Sequence, residues 1–198
     1  MCCSLSHSSP GKQSANLLFI QVSAFYNRSM ISLEVSLKHM AWSNQKFFSQ
    51  IALMPDSVYE FKAAAGEWSV GQLLMHLVDS GEWYRYCLDG TMFTDRSPIT
   101  SGTVTREMLT LIAELDQAML DQVSLEDELL EIKEEKSSFH ANRSLILSQA
   151  VAHTAEHKGQ IATVLKQHGF HLDLDELDVW SYVSKTSGLD RDLLDRNV

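Results

Sequence analysis

The chain has 198 residues, 44% hydrophobic and 21% charged, enough to bury one core of ordinary domain size and unlike a disordered polymer. A formal net charge of −10 argues against a nucleic-acid grip, which needs a positive surface, and no Lys/Arg cluster offers a local exception. Three cysteines, Cys2, Cys3 and Cys87, make neither a CxxC pair nor a disulfide framework, so a reduced, cytoplasmic protein is expected.

Residues 1–29 are rich in serine, carry only Lys12 and Arg28 as basic residues, and precede the first acidic residue, Glu34. They are too poor in arginine for a transit peptide and lack the basic start and cleavage site of a secretory signal. The expectation is a poorly ordered N-terminal extension, as if translation were counted from upstream of Met30. The longest apolar run, Leu17 to Tyr26, is broken by Gln21 and Ser23 and falls short of the ~20 residues a membrane span needs. No membrane partner is expected.

Four segments carry helical periodicity and no stretch reads as a sheet. The first runs from about Ser32 to Leu53, with Leu33, Leu37, Met40, Phe47 and Ile51 on one stripe and Pro55 beyond its end. Asn44 is a polar residue on that apolar stripe. The second opens on Trp68-Ser69-Val70-Gly71-Gln72-Leu73, where Ser69 and Gln72 form a capping box and Trp68 can staple onto Leu73. It ends at Asp89-Gly90, and His76 shares a side with Leu73, Ser80 and Trp83. After a loop with Pro98 and Gly102, a third helix covers about Val104 to Val123 on the stripe Met108, Ile112, Leu115, Met119. The charge-dense stretch Glu126 to Lys136 reads as a solvated helix end or short irregular connection. A fourth helix spans about Arg143 to His168 on the stripe Ile146, Ala150, His153, His157, Gln160, Val164. Four helices with one apolar stripe each predict an all-α, up-and-down-type four-helix bundle with long connections over residues 30–182. A polar tail, 183–198, follows it.

His153, His157 and Gln160 interrupt an otherwise buried stripe, where an unpaired polar group costs on the order of 1–3 kcal/mol. His153 and His157, four apart, project from one side of the helix, and His76 lies on another inward face. Spacing alone leaves two readings open: a metal-ligating set, or core histidines each satisfied by a hydrogen bond. The string His153-Thr154-Ala155-Glu156-His157 also matches the H-x-x-E-H pattern of inverted zinc peptidases. That match fails on Glu156, which points ~100° away from His157 around the helix. It fails also on the short stretch of chain after His157, which leaves no room for a distant acidic ligand. His39, His140, His168 and His171 are singletons, and His168 is placed to meet the free carbonyls at its own helix end. Cys87 reads as a small buried hydrophobe, and Trp42, Trp83, Tyr84 and Tyr86 as core or pocket wall.

The run Glu67-Trp68-Ser69-Val70-Gly71-Gln72-Leu73-Leu74-Met75-His76-Leu77-Val78, with Glu82-Trp83, resembles the second-helix motif of the DinB/YfiT-like family. His153 to Ile161, with its Gly159-Gln160, resembles that family's C-terminal motif, and Asp178 to Tyr182 its ending. The resemblance covers about residues 30–182 and is not to the DNA polymerase that shares the name. It implies a four-helix bundle binding a divalent metal through His76, His153 and His157, most often zinc or nickel, with iron or manganese as further choices. It also implies metal-dependent hydrolysis or transfer of a low-molecular-weight thiol to an electrophile, acting on a small-molecule substrate, and a homodimer. The nucleophile would be water or a thiol at the position three neutral ligands leave open. Gln160 would line the pocket or orient a ligand. The competing reading is a non-catalytic metal- or ligand-binding stress-response bundle.

Overall fold

The computed structural model describes residues 32–187, so the expectation for residues 1–29 and most of that for 183–198 lies outside the described residues. Five helices and one two-stranded sheet make up the described chain: α1 (Leu33–Ile51), α2 (Val70–Asp89), α3 (Gly102–Asp121), β1 (Leu129–Lys133), β2 (Ser138–Asn142), α4 (Arg143–Gln167) and α5 (Val179–Ser187). α1 and α2 each pack against both α3 and α4, and α5 packs on α1. No described helix is long and apolar enough to cross a membrane.

Local chemistry sets the ends of α2. Ser69 Oγ accepts from Gln72 N at 3.3 Å while Gln72 Oε1 accepts from Ser69 N at 2.9 Å, closing the capping box. Gly90 ends the helix at φ 77°, a left-handed turn a side chain would strain. Gly71, in the first turn, is needed for another reason: a Cβ there would stand 2.0 Å from the Ile99 carbonyl oxygen. That contact lets the loop after α2 lie across the start of the helix. The same loop is fastened further on by buried Glu82, which takes the Arg96 guanidinium and the Thr94 N–H.

The buried apolar side chains form two clusters. One gathers Phe47, Phe48, Ile51, Val70, Leu74, Ile161 and Leu165 with their neighbours. The other gathers Leu37, Met40, Tyr84, Leu88, Met119, Ile146 and Leu147. Each buried side chain of this size contributes roughly 1.5–3 kcal/mol. Along every one of the four long helices the crossing from one cluster to the other is marked by polar residues. These are Ser43 and Asn44 on α1, Ser80 on α2, Asp116 on α3, and His153, Thr154, His157 and Lys158 on α4.

The charged stretch Glu126 to Lys136 corrects the expectation of no sheet. β1 and β2 pair antiparallel with Leu129 opposite Asn142 and Lys133 opposite Ser138. Only Ile132 of β1 is buried, so the strand lacks the apolar alternation that marks one in sequence. Its acidic lead-in anchors α4 rather than being merely solvated. Asp127 accepts from Ser144 N at 2.9 Å and from Ser144 Oγ at 2.8 Å. Buried Arg143 bonds Gln122, the Glu126 carbonyl and Glu128.

Candidate metal centre

The polar crossing opens to solvent between α2 and α4, where three imidazoles converge. α2 supplies His76 two turns in from its cap, and α4 supplies His153 and His157 from adjacent turns of one face. Ring centroids are 5.0 Å apart for His76 and His153, 4.7 Å for His76 and His157, and 4.3 Å for His153 and His157. One ring nitrogen from each lies within 4.8 Å of the others, and no carboxylate or thiol among the described residues joins the group. All three rings are half-buried.

Neighbours set the orientation of each ring. Gln160 Oε1 lies 2.8 Å from His157 Nδ1, an acceptor that favours the tautomer with its proton on Nδ1. Ser80 Oγ lies 2.9 Å from His153 Nε2, tying α2 to α4 beside the cluster. His76 has no hydrogen-bond partner among the described residues and is held by ring contacts, with the Trp68 centroid 4.8 Å away, edge to face. Burial first, and then His157, lowers the pKa of both His76 and His153, so these imidazoles stay neutral below the usual histidine range. Converging nitrogens, one of them on a ring with no hydrogen-bond partner among the described residues, fit a divalent cation.

The other sequence candidates separate clearly. Glu156 is exposed and does not join the cluster. Burial pushes the half-buried Cys87 thiol up to about 11, which leaves it protonated and a poor nucleophile. Tyr84 is buried with its ring 6.0 Å from His153, whereas Trp83 and Tyr86 stack on each other at 5.4 Å beside Phe93. His39 meets the Leu177 carbonyl at 2.8 Å and clusters with Trp42 and Tyr182. His168 corrects its expectation: Nε2 reaches the Lys62 carbonyl at 3.1 Å rather than its own helix end. The ring is drawn there by stacking on Phe61 at 4.2 Å. His140 and His171 are exposed.

A second polar group, which sequence reading did not assemble, lies behind the histidines. Asn44 Nδ2 donates to both carboxylate oxygens of Asp116, at 2.9 and 3.1 Å. Lys158 Nζ donates to Ser43 Oγ at 2.7 Å and sits 5.7 Å from the Phe47 ring. Asp116 and Lys158 are 4% and 7% exposed, so burial raises the carboxyl to about 6 and lowers the amine to about 7 while their opposite charges resist both shifts. Asn44 was visible as a polar residue on an apolar stripe, but its partner is on another helix.

Comparison with known proteins agrees with this architecture. A DinB-like protein from Bacillus cereus ATCC 10987, solved at 2.01 Å, superposes with a TM-score of 0.54 at 16% identity, over 69% of this chain and 90% of that one. Among curated proteins no relative matches. The DinB family model matches residues 27–176, a span holding all three converging histidines, and the chain belongs to the DinB family.

Proposed function

We propose that residues 30–182 form one up-and-down four-helix bundle whose function is to hold a divalent metal, zinc or nickel foremost, on His76, His153 and His157. The bundle then acts on a small-molecule substrate as a metal-dependent hydrolase or thiol transferase. The observation that supports this reading best is the convergence of three ring nitrogens within 4.8 Å from two helices, with no anionic group in the set. When bound, such an ion supplies Lewis acidity that brings water toward pKa ~7 or stabilises a thiolate. The chain's own residues do the positioning. Gln160 keeps the His157 proton on Nδ1, Ser80 steadies His153, and Trp68 walls His76. These outer partners preset the orientation of the nitrogens.

One observation favours a second reading, a non-catalytic metal- or ligand-binding bundle: among the described residues no carboxylate stands in the histidine group to serve as a general base. Metal analysis of protein purified under metal-replete conditions decides whether there is a centre, with one divalent ion per chain expected. Ester, amide and thiol-conjugation substrates then separate the two readings. Turnover abolished by chelation and by His76→Ala supports the enzyme. Stoichiometric metal with no turnover on any panel supports the binder, and turnover surviving both treatments removes the metal from the mechanism.

A further inference from the structure

A cleft of about 480 Å³ adjoins the histidines, lined by Ala63, Glu67, Trp68, Leu73, Gln160 and Val164 among others. Two of these residues tie it to the cluster: Trp68 stands against His76, and Gln160 holds His157. Leu73 and Val164 give it an apolar floor. Gly159 also lines it, and a Cβ at that position would stand in open space. Trp68 is 48% exposed although it packs on His76, leaving ring surface free for a ligand.

The charge lining the cleft is negative. Among the described residues Glu67 is its only ionisable lining residue, with no lysine or arginine on the wall. The chain as a whole carries −10, so its long-range field also favours a cation. An aromatic face beside a carboxylate over an apolar floor is the combination that recognises an organic ammonium group. An anionic ligand would face Glu67 with no counter-charge on the wall.

We infer that this cleft binds the non-reacting part of the substrate, and that this part is a small organic ammonium with an aromatic or aliphatic body. The ammonium meets Glu67 and the Trp68 face, the body covers Leu73 and Val164, and the other end of the molecule reaches the histidines. This assignment rests on the proposed function for what happens at that end, whereas recognition in the cleft needs no metal.

The test uses the full chain freed of metal by chelation, titrated with benzylammonium, benzyl alcohol and benzoate, with the Trp68 indole and Gln160 amide followed by NMR. Benzylammonium is expected to bind at least about tenfold tighter than benzyl alcohol, as a cation–π contact and an ion pair together supply. Benzoate is expected to bind weakest. Glu67→Gln should erase about threefold to fivefold of the ammonium preference and leave benzyl alcohol unchanged. Trp68→Leu should weaken benzylammonium about fivefold. Benzoate or benzyl alcohol binding as tightly as benzylammonium, or a preference untouched by Glu67→Gln, overturns the inference. A parallel zinc titration keeps the two readings apart. Ammonium selectivity without zinc binding removes only the metal, and zinc binding without selectivity removes only the cleft assignment.

Discussion

α4 carries two polar groups that differ by one residue in sequence and in almost everything else. His153 and His157 face α2 in a half-buried cluster, while Thr154 and Lys158 face α1 and the centre of the core. The inner group answers most of its own needs: Lys158 has Ser43 and the charge of Asp116, and Asp116 has the Asn44 amide nitrogen, with Asn44 Oδ1 alone in the group buried without a partner among the described residues. The histidines answer theirs only in part, with His76 lacking any hydrogen bond among the described residues. A polar cluster satisfied by the fold serves the fold, and one left incomplete is available to something from outside. Under the proposed function, the contrast separates a face that serves stability from one that serves binding.

Four measurements would break or sharpen it. His153→Ala should cost the largest factor, on the order of 10²–10³ in zinc or nickel affinity, as one of few ligands is lost. The melting temperature of the metal-free protein should barely move. Asp116→Ala should do the reverse. It takes the counter-charge from Lys158 and the acceptor from the Asn44 amide nitrogen, so urea unfolding should report a loss of about 1–3 kcal/mol with metal affinity unchanged within about twofold. If that variant also lost metal, the two groups would be one coupled site.

Gln160→Leu comes third, lowering metal affinity by about 10–100-fold through a freed His157 tautomer. Because Gln160 is exposed, stability should shift by no more than about 0.5 kcal/mol. The fourth effect is a slope. Burial lowers Lys158 from 10.5 to about 7, so across pH 7 to 9 the unfolded chain holds a proton that the native protein releases. Native stability should therefore rise with pH over that window, and Lys158→Met should flatten the rise. Above it the raised Cys87 thiol, at about 11, works in the opposite direction, so the scan stops at 9.

The legible parts of this chain were those governed by neighbours in sequence. Ser69, Gln72 and Gly90 mark the ends of α2 through bonds and backbone angles that reach no more than four residues. The pairing of His153 with His157 follows from one helical turn, and Glu156 was set aside by the same rotation. The hairpin was not legible. Its strands are short, mostly solvated and held by Arg143 and Asp127 contacts that cross from another element. Asn44 announced a buried partner without naming one, because Asp116 sits on a stripe whose apolar neighbours gave no hint of a carboxylate facing inward.

By itself, then, the sequence determined four long helices, the caps of α2 and the two histidines on one face of α4. Periodicity and capping are local, so each is complete within a few residues. Only the tertiary structure decided that His76 meets that pair, that Ser80 and Gln160 orient it, and that Asp116 and Lys158 form a separate core beneath. Those contacts depend on the register and rotation of helices against one another, which packing of the two apolar clusters sets and no single helix encodes.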